Sequence, residues 1–418
     1  MGMTMTQKIL ASRSGRKEVG TGEIVQCSID VAMSHDATVG VIRPFLEIGA
    51  PKVWDSQKIV VLIDHWTPAN SESTAKSHQT IREFVRKHEI ENFYDIKEGI
   101  CHQILPEKGH VAPGDIIVGT DSHTTTAGAF GAFGTGMGYT EMAGVFATGK
   151  TWFKVPPTIK IVLNGRLRPW VSAKDVFLYI AGQYGEDFAT YKSLEYAGPV
   201  VEEMSIDGRM TLCNMAVELG AKNGIIAPDD KTLAFLKGRL KKDVALFGND
   251  PDAEFEQVIE LDVSGLDPQV ACPDSPSNTK SCTEVEGIKI DQAFIGSCTN
   301  GRLEDLRIAA SVLKGKKVSR DVRLLVIPAS REIYRQAVRE GTAEILLDSG
   351  AVIMHPTCGP CLGAQLGLLA PGEVCIASTN RNFRGRMGCN TADIYLASPA
   401  IVAASAITGF ITSPERGQ

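Results

Sequence analysis

Five short apolar runs in this chain stop abruptly at polar, reactive residues, and that habit constrains its fold more than any other feature. KIVVLID ends at Asp64-His65, and DIIVGT runs into Asp121-Ser122-His123. AFIG leads into Ser297-Cys298-Thr299-Asn300, AVIMH leads toward Cys358, and EVCIAS leads to Asn380-Arg381. Between such runs lie segments with apolar positions at helical spacing, among them SESTAKSHQTIREFVRKHEI and SREIYRQAVREGTAEILLDSG. Strands alternating with helices predict α/β domains built on mainly parallel sheets. In such sheets ligands bind beyond the carboxyl ends of the strands, which is where every candidate polar group falls.

A chain of 418 residues is long enough for two or three full cores. WFKVPPTIKIVLNG, with Pro156-Pro157, reads as a linker entering a new strand, and the Pro/Ser/Asn/Thr-rich stretch from Val270 to Gly287 suggests a second junction. Three domains are therefore expected, over residues 1–156, 157–284 and 285–418, with Cys298, Cys358 and Cys361 all in the last.

The net charge of −6 leaves no basic surplus to neutralise phosphates, which argues against a nucleic-acid binder. The N-terminal segment lacks the apolar core of a signal peptide, and the most apolar run, AIVAASAITGFI, is too short to span a bilayer. A cytoplasmic location is expected, with no membrane partner. Ten cysteines are too dilute for a disulfide scaffold, and a reducing compartment keeps them as thiols. Seven sit singly in apolar or mixed contexts, as small buried hydrophobes do. Cys298, Cys358 and Cys361 differ, because each lies in a turn rich in Gly, Pro, Ser, Thr or Asn.

Asp64-His65 and Asp121-Ser122-His123 each set a carboxylate beside an imidazole, a pairing that fixes the ring tautomer and suits general acid–base work. A strand followed by Asp-Ser is also a common helix cap; two such pairs, with His102 in addition, shift the balance toward chemistry. Three arginines in ASTNRNFRGRMG usually make a solvated face, yet at a strand end guanidinium forks suit carboxylates. The glycine-rich run GAFGAFGTGMGYTE departs from the dinucleotide-binding pattern and reads as close backbone packing. Cys358-Gly-Pro-Cys361 matches a redox dithiol, part of a zinc site, or two ligands of an iron–sulfur cluster with Cys298 as the third. Spacing alone ranks the cluster only slightly above zinc.

GTDSHTTTAGAFGAFGTGMG, IGSCTNGRLEDL, CGPCLG and STNRNFRGR together resemble the aconitase family of iron–sulfur hydro-lyases, in the family's order and over essentially the whole chain. The resemblance implies three α/β/α domains around a [4Fe–4S] cluster held by Cys298, Cys358 and Cys361, with one iron not ligated by protein. It implies that Asp64 and His65 protonate the departing hydroxyl, that His102, Asp121 and His123 hydrogen-bond substrate or water, and that Glu218 stands beside that water. Ser122, Asn214, Asn380, Arg381 and Arg386 are implied substrate-binding residues. His35 falls where aconitases proper carry glutamine, a departure that favours the isopropylmalate branch; homoaconitase and citramalate-active relatives remain the alternatives. The swivelling fourth domain of single-chain members has no counterpart here, so the resemblance implies a heteromer with a small subunit that carries it. The implied substrate is a small di- or tricarboxylic hydroxy acid, dehydrated and rehydrated in amino-acid biosynthesis.

Overall fold

The computed structural model describes residues 2–240 and 244–415. The chain divides into two compact units. The first comprises Met1–Ile96, Cys101–Asn164 and Ala189–Leu261; the second comprises Lys97–Ile100, Gly165–Phe188 and Asp262–Gln418.

The first unit is organised by a five-stranded sheet in the order Asn92–Tyr94, Ile59–Leu62, Val31–Ser34, Ile116–Gly119, Phe133–Gly136, parallel throughout. Ile59–Leu62 is buried at every position, which is why IVVL shows no polar alternation: a parallel strand covered on both faces reads as a continuous apolar run. The helix Glu72–Lys87 begins at Ser71, whose hydroxyl accepts the Thr74 N–H, and it buries His78, Ile81, Phe84 and Val85. These positions fall on one stripe at helical spacing. A four-stranded sheet, in the order Asn223–Ile226, Ser193–Ala197, Thr158–Asn164, Gln257–Asp262, belongs to the same unit. An antiparallel ribbon pairs Ile24–Ser28 with Lys150–Lys154.

The second unit is built on a seven-stranded sheet in the order Thr279–Ser281, Gln269–Ala271, Asp393–Ala397, Val374–Ala377, Gln292–Ile295, Arg323–Val326, Val352–Ile353. The last five of these are mutually parallel, and the first two are antiparallel additions at one edge. The expected α/β class with parallel sheets is thus the observed one. Among the described residues, no helix is long and apolar enough to cross a membrane.

Candidate active site

In the first unit three adjacent parallel strands end at chemistry. Val31–Ser34 delivers His35 and Asp36, Ile59–Leu62 delivers Asp64 and His65, and Ile116–Gly119 delivers Asp121 to His123. Asp121 is the hub. Its Oδ1 lies 2.8 Å from His102 Nε2 and accepts the His123 backbone N–H at 2.7 Å. Its Oδ2 lies 3.3 Å from His65 Nε2. Burial alone would raise its pKa, but the charge and hydrogen bond of His102, with bonds from His123 and His65, hold it well below the usual carboxylate range.

His65 is thereby held at both nitrogens, because its Nδ1 lies 2.7 Å from Asp64 Oδ1. Asp64 is fully buried, and its second oxygen accepts the Cys101 N–H at 2.7 Å. Both ring nitrogens thus face carboxylate oxygens, which fixes the ring's orientation. His123 Nε2 lies 2.7 Å from Glu218 Oε1, so a second imidazole–carboxylate pair joins the same hub. His35 stacks on His65 with ring centroids 4.2 Å apart. Burial, with the neighbouring His65 charge, lowers the His35 pKa and favours a neutral ring. Ser122 Oγ lies 3.5 Å from His123 Nδ1. Asn214 sits one link outward, donating from Nδ2 to Thr126 Oγ1 at 2.9 Å.

Two residues of this network are missed by motif reading. Asp36 Oδ2 accepts the backbone N–H groups of both Asp64 and His65, at 2.9 and 2.7 Å, and its Oδ1 lies 3.0 Å from His78 Nε2. Burial would raise the Asp36 pKa, but these partners outweigh it and lower it. Asp36 follows a strand just as Asp64 and Asp121 do, which was the available signal. His78 offered none, since it lies on the apolar stripe of a helix. His35, Asp36, Asp64 and His65 crowd within 4.8 Å, as metal ligands can. Every oxygen of the two carboxylates already faces a hydrogen-bond partner, so the set is a hydrogen-bonded network.

In the second unit the parallel strands end at sulfur and nitrogen. After Gln292–Ile295 the backbone passes through Ser297 with φ 68° into the single turn Ser297–Asn300, which carries Cys298. Cys358 opens the 3₁₀ turn Gly359–Leu362, which carries Cys361. Gly359 has φ 58°, and a Cβ there would sit 2.3 Å from Ile327 Cδ1, so glycine is the residue that takes this turn without strain. All three cysteines are buried, and none of the ten in the chain is disulfide-bonded. Asn380, just beyond Val374–Ala377, ties the two turns together: its Nδ2 donates to Cys298 Sγ at 3.4 Å, and its Oδ1 accepts from Cys361 Sγ at 3.4 Å.

Two buried cations brace these loops. Arg302, 1 % exposed, donates to the carbonyl oxygens of Cys298, at 2.6 Å, and of Thr299. Lys174 donates to the carbonyls of Ser378 and Thr379, directly before Asn380. Arg381 and Arg386 follow on the same segment, and Arg386 Nε is buried with no hydrogen-bond partner among the described residues. Arg384 instead reaches outward to Asp274, at 2.9 Å.

A tetrahedral zinc with bonds of about 2.3 Å brings its thiolates roughly 3.8 Å apart. Among the described residues, Cys298, Cys358 and Cys361 form no group of three ligand atoms within 4.8 Å of one another. Buried thiols without other ligand types beside them suit an iron–sulfur cluster.

The aconitase family description, "Aconitase family (aconitate hydratase)", matches residues 7–284 and 278–409. The chain belongs to the aconitase family. It is 56 % identical over 415 residues to the "Probable 3-isopropylmalate dehydratase large subunit" of Methanothermobacter thermautotrophicus, covering 99 % of each chain. It is 56 % identical over 415 residues to "3-isopropylmalate dehydratase large subunit 1" of Methanopyrus kandleri, again covering 99 % of each. It is also 52 % identical over 419 residues to the "Probable methanogen homoaconitase large subunit" of Methanothermobacter thermautotrophicus, covering 99 % of this chain and 98 % of that one. Among solved structures, aconitase X of Thermococcus kodakaraensis has a TM-score of 0.52 at 13 % identity, over 93 % of this chain and 92 % of that one, a likeness of fold. Members of the aconitase family carry an iron–sulfur cluster, which agrees with the buried thiols described above.

Proposed function

We propose that this chain is the cluster-bearing large subunit of a 3-isopropylmalate dehydratase, a hydro-lyase interconverting 2- and 3-isopropylmalate in leucine biosynthesis. The observation that carries the reading is His65, held between the carboxylates of Asp64 and Asp121 in a chain 56 % identical to two proteins so named. Dehydration breaks a C–O and a C–H bond: His65 Nε2 supplies the proton for the departing hydroxyl, with Asp64 fixing the ring through Nδ1, and the carbon-bound proton goes to a base carried by the small subunit. His102 and His123 keep Asp121 ionised, so the proton can return to His65 on rehydration. Glu218, through His123, orients water on the same network.

Cys298, Cys358 and Cys361 would hold a [4Fe–4S] cluster, leaving one iron without a protein ligand. When bound, the cluster supplies a Lewis acid for hydroxyl and carboxylate oxygens. Arg381 and Arg386 clamp a substrate carboxylate, the unpartnered Nε of Arg386 being suited to that task. Asn380 holds the two cysteine turns in register. The chain acts with a small subunit carrying the swivelling domain and works in the cytoplasm. Three aconitase-like domains bounded near residues 156 and 284 belong to the same reading; the five-stranded sheet lies within the first, whereas the seven-stranded sheet draws Gln269–Ala271 and Thr279–Ser281 from before the second boundary.

A homocitrate-converting activity is the second reading, favoured by the 52 % identical homoaconitase relative. The deciding experiment is anaerobic co-expression with candidate small subunits, followed by assays on both substrate series. Turnover of isopropylmalate is the expected result. Turnover of homocitrate alone would replace the primary reading with the second, and turnover of neither by any cluster-loaded pair would sink both.

A further inference from the structure

Beside Ser122, in the turn that carries Asp121 to His123, a cavity of about 490 Å³ opens wholly within the first unit. Its walls mix hydroxyls, from Ser122 and Thr135, with short apolar side chains, from Met137, Val217 and Ala221, and it holds one cation, Lys222. We propose that this cavity is a carboxylate site, in which Lys222 pairs with the carboxylate of a small acid whose short apolar body lies against Met137, Val217 and Ala221.

Three observations support the assignment. Among the described residues, no carboxylate lies within ion-pairing distance of Lys222; Glu141 is felt only through space. Burial lowers the Lys222 pKa, so the ammonium carries a desolvation cost that an anion would offset. Its Nζ stands 5.6 Å from the ring centroid of Tyr191, a cation–π contact that leaves room for an anion on the ammonium. Tyr191 itself has φ 58°, a strained backbone that L residues keep only where the surroundings enforce it. The strain sets the Tyr191 ring on the cavity wall beside Lys222.

At about 490 Å³ the cavity has room for a small acid. The apolar lining separates this site from a simple phosphate cradle, which would present several N–H groups. Ser122 lines the cavity and also belongs to the turn holding Asp121 and His123, so a bound acid stands next to the acid–base network. Identifying the acid as the hydroxy acid of the reaction rests on the function proposed above; the site itself does not.

The test uses the full-length chain, with 2-isopropylmalate and malonate as probes, malonate having the carboxylates without the branched body. Lys222 acylation by an amine-reactive ester is followed by peptide mass spectrometry, and affinity is measured by calorimetry. Isopropylmalate is expected to slow Lys222 acylation and malonate to do so less. Lys222→Met should weaken binding about tenfold or more, as loss of a charged hydrogen-bond partner does, while Lys222→Arg stays near wild type. Unchanged acylation with either acid, or equal affinity in Lys222→Met, overturns the proposal. If acylation is unprotected while the reconstituted pair turns over isopropylmalate, the cavity assignment fails alone. If an acid protects Lys222 but no loaded pair turns over either substrate series, the site stands and the proposed function fails.

Discussion

His78 Nε2 lies 3.0 Å from Asp36 Oδ1, while the other oxygen of Asp36 accepts the N–H groups of Asp64 and His65. A helix side chain thus steadies the turn that aims the proposed acid. Replacing His78 with Leu leaves a buried carboxylate short of one partner, and a stability loss of about 2–3 kcal/mol is expected from urea unfolding. Asp36→Asn is expected to lower kcat more than it raises KM, because it loosens the aim of His65 without touching carboxylate binding. A KM effect alone would contradict the positioning role.

Asp36 and Asp121 both have pKa values held below the ordinary carboxylate range. Their stabilisation is therefore complete above the unfolded value of about 4 and is lost as pH falls below it toward their own lower pKa values. Thermal melts from pH 6 to pH 3 should show a decline setting in near pH 4. Asp121→Asn should flatten it, and an equally steep decline in that variant would show that other carboxylates govern the acid limb.

His35 adds a term at higher pH. Its folded pKa is lowered by burial and by His65, so the unfolded chain binds its proton first. Stability is complete above about pH 6.5 and falls as pH drops through that value. His35→Gln should remove this step from the melting curve while leaving the decline near pH 4.

Cys298→Ser is expected to abolish the brown absorbance of anaerobically reconstituted protein while leaving far-UV circular dichroism unchanged, since the Sγ removed is one of three expected ligands. Asn380→Ala should retain the cluster but lose it faster to a chelator, because the amide joins the turns bearing Cys298 and Cys361. Equal chelation rates would show that the amide bridge has no part in holding it.

Gly359→Ala is expected to cost about 1–2 kcal/mol, the ordinary penalty for an L side chain at left-handed φ, with further strain from contact with Ile327. Arg302→Gln should cost more, since the carbonyls of Cys298 and Thr299 would lose charged donors within a dry turn. Chemical denaturation of both variants checks the order.

Much of the site was legible because parallel strands end where ligands bind, and in this chain the strand ends are spelled with Asp, His, Cys and Asn. His65, Asp121, Cys298 and Asn380 could be found that way. Asp36 obeys the same rule, one position beyond His35 at the end of Val31–Ser34, but carries no pairing signal in its own segment. His78, Arg302 and Lys174 could not be found from local pattern. Each occupies a helix or helix-start position where neighbours in sequence are ordinary, and its partner lies on a distant segment. Lys222 is similar, since a lysine after a glycine turn reads as solvated until the cavity around it is seen.

The two units are not consecutive stretches of chain. Lys97–Ile100 and Gly165–Phe188 belong to the second unit, although they lie between parts of the first. The first therefore cannot close its core until the ribosome has released residues near Leu261. By then a portion of the second is already waiting for a sheet that has not been made. A single cut after Leu261 keeps the first unit whole but carries two segments of the second away with it. A fragment ending before residue 261 is expected to expose apolar surface and to need chaperone protection, whereas a nick in a surface loop should leave the pieces associated.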